Sequence, residues 1–193
     1  MRGEPITNTH ERGMSETRIR WANVLSVLRL IVAMPCAFAI WNGAWRAAAV
    51  LFVTAVLTDV FDGIVARRRG EVTVFGGLLD HSIDATFVTV TLGALALLGI
   101  VPALLPVLAI TSFLQYVWDS AALSGAPLRA SVLGRWNGIG YFVMVGVVVI
   151  ARALELTWPA PAWISIAAWA LVVSTGISMC DRGYALWRIR RGN

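Results

Sequence analysis

Asp59, Asp62, Asp80 and Asp84 stand in the run T-D-V-F-D-G-I-V-A-R-R-R-G-E-V-T-V-F-G-G-L-L-D-H-S-I-D. On a helix, residues three or four apart share a face, so each of the two aspartate pairs projects from one side of its own helix. If the two helices are antiparallel neighbours, the faces converge. Four carboxylates gathered in a partly apolar setting would repel one another and take up protons unless cations neutralised them. No histidine or cysteine shares their spacing, and an all-oxygen donor set favours hard ions, Mg²⁺ or Mn²⁺ rather than Zn²⁺. Two such ions about 4 Å apart clamp a phosphoryl group and stabilise both its attacking and its leaving oxygen. Gly63, Ala66, Gly76 and Gly77 are small enough to admit a ligand against the backbone. Arg67 offers a planar set of donors to phosphate oxygens.

The elements that must carry these residues are apolar. The 193 residues are 58% hydrophobic and 14% charged, with a mean hydropathy of +0.73. That is the composition of a chain whose solvent is a bilayer. Apolar segments at 22–41, 45–66, 76–99, 102–123, 137–154 and 161–187 predict six transmembrane helices in an all-α fold, because helices satisfy their backbone groups within lipid and no segment alternates like a barrel strand. The length leaves room for one membrane domain over 1–193, opening on a polar segment at 1–20. The first apolar stretch lacks a cleavage site and is expected to remain as an anchor. Residues 15–23 fit either a short N-terminal interfacial helix or an ordinary charged flank.

Every basic residue other than the two histidines is arginine, and the net charge is +5. These arginines sit mainly at the ends of apolar segments, not in one run on a polar surface, which points away from nucleic acid and towards lipid, phosphate and topology. Arg2, Arg12, Arg18 and Arg20 precede the first segment, Arg67, Arg68 and Arg69 follow the second, Arg129 and Arg135 follow the fourth, and Arg188, Arg190 and Arg191 close the chain. Arg46 and Arg152 mark the opposite side. Both termini, with the second and fourth connections, are therefore expected at the cytoplasmic face of the inner membrane. Cys36 and Cys180 lie in apolar segments far apart and are read as packing residues.

The residues Asp59, Asp62, Gly63, Ala66, Arg67, Gly76, Asp80 and Asp84 spell D-x2-D-G-x2-A-R-x8-G-x3-D-x3-D. That string resembles, without a mismatch, the signature of the CDP-alcohol phosphotransferase family. Asn23, Ser26 and Arg29 match an N-x2-[ST]-x2-R pattern, and Ser131, Leu133, Gly134, Arg135 and Asn137 match S-x-L-G-[KR]-x-[KN]; both are similar to the phosphatidylglycerophosphate synthase and cardiolipin synthase branch. The resemblance implies a six-helix homodimer that moves a phosphatidyl group from CDP-diacylglycerol to a polyol and releases CMP. It implies two Mg²⁺ or Mn²⁺ ions on Asp59, Asp62, Asp80 and Asp84, with Asp84 also the general base. Gly63, Ala66, Arg67 and Gly76, with Asn23 and Arg29, would take the CDP donor. The best-matching acceptor is glycerol 3-phosphate; phosphatidylglycerol, as in cardiolipin synthesis, is the alternative. Where that branch commonly reads D-P-x-A-D-K, this chain reads Asp80-His81-Ser82-Ile83-Asp84-Ala85, without the proline and the lysine.

Several residues admit two readings. Arg29, about two turns into the first span, pairs with either a buried carboxylate or a ligand phosphate. Arg129 and Arg135 either bind the acceptor's phosphate or hold the loop on its side of the membrane. Asp119 reads as a structural partner for an arginine, and His81 as a hydrogen-bonded bystander. A carboxylate-lined cation transporter would share the acidic cluster but should show inverted repeats, which are not evident in the sequence.

Overall fold

The computed structural model describes residues 29–69, 74–122 and 132–191; side chains at 61–69, 74–79, 119–122, 186, 189 and 190 lie outside the description. The described residues form helices and no strand. The helices are α1 (Arg29–Trp41), α2 (Trp45–Arg69), α3 (Val74–Leu97), α4 (Leu104–Ala122), α5 (Val132–Ala153) and α6 (Pro161–Arg191). Each expected apolar segment is matched by one of them. α2 and α6 run past their apolar cores, and α5 starts five residues ahead of the expected 137. Hydropathy marks only the stretch that prefers hydrocarbon, whereas backbone hydrogen bonding continues into polar turns.

Three of the helices end alike. At the ends of α1 and α3, Gly43 and Gly99 take a positive φ of 69°, and after α5 Glu155 takes 56°. In each case the following amide donates back across the last turn: Ala44 to Ala39, Ile100 to Leu95 and Leu156 to Ala151, at 2.8–3.0 Å. This left-handed cap satisfies carbonyls that a helix end otherwise leaves unpaired. It also reverses the chain sharply, so α1–α2, α3–α4 and α5–α6 are hairpins whose turns lie together at the end remote from the aspartates.

α3 packs on α4, α2 on α5, α4 and α5 on α6, and α3 also on α5. Among the described residues α5, rather than α3, is the main partner of α2. The three helices meet through aromatic rings. Phe87 stacks on Phe142 with centroids 6.0 Å apart and meets Phe52 at 6.1 Å. Gly146 makes this possible, since a Cβ there would fall 2.9 Å from the Phe52 ring.

Outward faces carry Met34, Phe38, Val50, Val107, Leu114, Val143, Ile166 and Val173, all exposed. So large an apolar surface suits lipid rather than water. Among the described residues, two helices, Val132–Ala153 and Pro161–Ala185, are long and apolar enough to cross a membrane. Cys36 is buried and its thiol lies against the Ala48 carbonyl, as a packing residue should; Cys180 is exposed on α6 and is not part of the core.

Candidate active site

α2 and α3 place their carboxylates at the end of the bundle opposite the glycine-capped turns. Asp59 comes from α2, and Asp80 and Asp84 from one face of α3, as their four-residue spacing requires. One oxygen of each lies within 4.8 Å of the others. The side chains are 43%, 50% and 23% exposed respectively, so Asp84 is the deepest.

Arg29 enters this cluster from α1. Its Nη1 donates to Oδ1 of Asp80 at 3.0 Å and to Oδ1 of Asp84 at 2.5 Å, while Nη2 pairs with Oδ1 of Asp59 at 2.6 Å. Of the two partners the sequence allows for Arg29, the structure shows the carboxylates. Helices that are not principal packing partners are thereby drawn together by charge at this end and by the Phe52–Phe87 contact deeper in the bundle. Three carboxylates against one guanidinium leave two negative charges in a half-enclosed space. Oxygen-only donors this close together, with that residual charge, fit hard divalent cations.

Beside Asp59 and Asp84 lies a cavity of about 410 Å³. α3 contributes His81, Ala85 and Val88 to its wall, α4 contributes Ser112 and Tyr116, α5 contributes Gly134, Arg135 and Tyr141, and α6 contributes Arg182. Arg135 thus lines a space that also reaches Asp84. His81, read from the sequence as a bystander, faces the same space, its ring edge-on to Tyr116 at 5.1 Å and tilted against Phe113 at 5.7 Å.

Arg182 is the residue that the sequence reading missed. It projects from α6, and its Nη2 donates to Ser112 Oγ on α4 at 2.6 Å while Nε reaches the Ser178 carbonyl at 3.4 Å. The available signal was an ionisable side chain inside the last apolar segment, which is costly unless it has work to do. Below it, polar seams hold α6 in register. Ser174 Oγ donates to Asn137 Oδ1 at 2.6 Å, Tyr141 and Thr175 share a hydrogen bond, and Gln115 Nε2 donates to the Met179 carbonyl at 3.1 Å.

The CDP-alcohol phosphatidyltransferase family profile matches residues 19–176, most of the chain and every element that supplies an aspartate. The chain belongs to this family. It is accordingly a transferase. A Mycobacterium tuberculosis protein named "probable phosphatidylglycerophosphate synthase" is 32% identical over 161 residues, covering 70% of this chain and 75% of that one. A CDP-diacylglycerol–glycerol-3-phosphate 3-phosphatidyltransferase of Cereibacter sphaeroides is 31% identical over 142 residues, covering 69% of this chain and 64% of its own length. The fold is shared with a crystal structure of M. tuberculosis phosphatidylinositol phosphate synthase with CDP-DAG bound, at a TM-score of 0.61 and 21% identity over 91% of this chain and 92% of that one.

Beyond their helical backbone, Asp62, Gly63, Ala66, Arg67 and Gly76 lie outside the described part, as do residues Asn23 and Arg129, the expected interfacial segment at 15–23 and the Asp119 side chain. Of the expected site residues that are described, Asp59, Asp80, Asp84 and Arg29 come together, and Arg135 lines the cavity that Asp59 and Asp84 also line. Arg46 and Arg152 sit at the far end, Arg46 paired with Glu155 at 3.1 Å and Arg152 lying over the Trp45 ring.

Proposed function

We propose that this family member transfers the phosphatidyl group of CDP-diacylglycerol to a hydroxyl of glycerol 3-phosphate, releasing CMP. The observation that carries the acceptor is the cavity itself, whose lining brings a carboxylate, Asp84, and two arginines, Arg135 and Arg182, to one space. A polyol phosphate has the matching halves: a hydroxyl that needs a base and an anion that needs guanidinium donors. Relatives named as a phosphatidylglycerophosphate synthase and as a CDP-diacylglycerol–glycerol-3-phosphate 3-phosphatidyltransferase support the same acceptor.

In this mechanism the acceptor's phosphate is held by Arg182, whose direction is fixed by Ser112, and by Arg135 from α5. Its hydroxyl is then presented to Asp84, which takes the proton as the oxygen attacks the phosphatidyl phosphorus. The bond from that phosphorus to the CMP oxygen breaks, and CMP leaves with the electron pair. Asp59, Asp62, Asp80 and Asp84 would hold two Mg²⁺ or Mn²⁺ ions, which when bound supply charge neutralisation to the diphosphate and to the attacking and leaving oxygens. Gly63, Ala66, Arg67 and Gly76, with Asn23, would line the cytidine side. His81 and Ala85, a turn apart on α3, line the same space.

The arginine distribution supports six spans with both termini and the active site at the cytoplasmic face of the inner membrane. A single membrane domain functioning as a homodimer completes the proposal. Purified protein with CDP-diacylglycerol, Mg²⁺ or Mn²⁺ and glycerol 3-phosphate should release CMP and form phosphatidylglycerophosphate in equal amounts. Turnover with phosphatidylglycerol instead would reassign the acceptor to the lipid. No CMP release with either acceptor, or with inositol phosphate, would refute the transferase mechanism drawn here.

A further inference from the structure

Arg29 is placed too deliberately for a packing residue. Its side chain is 1% exposed, and two of its nitrogens engage three carboxylates from two other helices. Each contact is to the Oδ1 atom. Its Nε, equally buried, has no hydrogen-bond partner among the described residues. A buried guanidinium donor without an acceptor is costly and marks a site completed by something else.

Divalent cations bind carboxylate oxygens at about 2.1 Å. If Arg29 kept all three Oδ1 contacts, cations on those oxygens would lie within about 5 Å of its guanidinium, with little water between to screen the repulsion. Withdrawing Arg29 to solvent is no remedy, because α1, α2 and α3 enclose it. The nearest chemistry that could accept its donors is an anion arriving in the same site.

We propose that Arg29 is the exchangeable counter-ion of the carboxylate cluster: it holds Asp59, Asp80 and Asp84 together, yields their oxygens to divalent cations, and turns its donors to the diphosphate of the nucleotide donor. This rests on the metal-dependent transferase function proposed above. It makes cation and donor binding mutually reinforcing, since each relieves the charge that the other leaves unpaired. Both readings that the sequence left open for Arg29, carboxylate partner and phosphate ligand, then describe one side chain at successive stages.

The test measures Mn²⁺ binding to the full-length protein in detergent, by the electron paramagnetic resonance signal of free Mn²⁺, with CDP as the soluble donor fragment. Arg29→Gln should bind Mn²⁺ roughly tenfold more tightly or better, because a like charge has gone. Its melting temperature should fall in EDTA and largely recover with Mn²⁺. CDP should raise Mn²⁺ affinity more in the wild type than in the variant. Unchanged or weaker Mn²⁺ binding by Arg29→Gln overturns the proposal while leaving the metal site standing. If Arg29→Gln does not fold, Arg29→Met serves, since it fills much of the same space without the charge. It should also bind Mn²⁺ more tightly than wild type, and an equal or lower affinity overturns the proposal. A wild-type protein that binds no Mn²⁺ would instead remove the metal reading itself, and this inference with it.

Discussion

Replacing Arg182 by glutamine isolates acceptor recognition from the chemistry. Arg182 lines the cavity with Asp84, and its guanidinium is oriented by Ser112 Oγ at 2.6 Å on the neighbouring helix. A charge-assisted hydrogen bond to a phosphate contributes about 1.5–3 kcal/mol, or roughly 10- to 150-fold in an equilibrium constant. The Coulomb attraction of two unit charges about 4 Å apart at an effective dielectric near 20 is of similar size, about 4 kcal/mol before desolvation is subtracted. Arg182→Gln should therefore raise KM for glycerol 3-phosphate by roughly 10- to 150-fold. kcat at saturating acceptor and KM for CDP-diacylglycerol should change by less than about threefold, because uniform binding is lost rather than transition-state contact. The assay is CMP release at fixed donor over a wide range of glycerol 3-phosphate. Ser112→Ala, which leaves the cation but frees its direction, should give a smaller rise, of several fold. An unchanged KM for glycerol 3-phosphate in Arg182→Gln would refute the assignment. So would a defect confined to the donor.

Asp84→Asn should lower kcat by about 10²–10⁴-fold while CDP still binds, since it removes the base and retains the shape; binding measured by calorimetry beside the kinetic assay checks both halves. Phe87→Ala empties the junction of α2, α3 and α5, where Phe87 is fully buried between Phe52 and Phe142. A loss of about 3–5 kcal/mol is expected, seen as a large drop in thermal unfolding temperature in detergent. Glu155→Gly should be close to neutral in the same measurement. It relieves the positive φ of 56° at a helix cap and gives up an exposed pair with Arg46 that contributes about 0–1 kcal/mol. A marked destabilisation would mean that this pair ties the far ends of α2 and α5 more strongly than its exposure allows.

Much of the candidate site was legible because charge in an apolar chain is conspicuous. The spacing of Asp80 and Asp84 settled that they share a face, since helical periodicity is local and independent of what the helix packs against. The six helices followed from hydropathy for the same reason, with errors confined to ends such as the early start of α5, where polar residues continue a helix that hydropathy no longer marks. The main partner of α2, which is α5, was not legible, because a short connection fixes where two helices join and not which faces touch below. Arg182 went unseen although its charge was in plain view. Only packing of α6 on α4 and α5 turns it towards Asp84, more than ninety residues away in the chain.

The amino-acid sequence by itself determined the family, the all-helical architecture and the identity of the acidic residues, because these depend on composition and on separations of a few residues along one helix. The tertiary structure decided what those residues face. It placed Arg29 among three carboxylates, brought Arg135 and Arg182 to a cavity that Asp84 also lines, and gave His81 a place in its wall. Such contacts depend on crossing helices and on rings as bulky as Phe52 and Phe87 fitting beside a glycine. No local pattern encodes them, since each is a property of two or three helices at once.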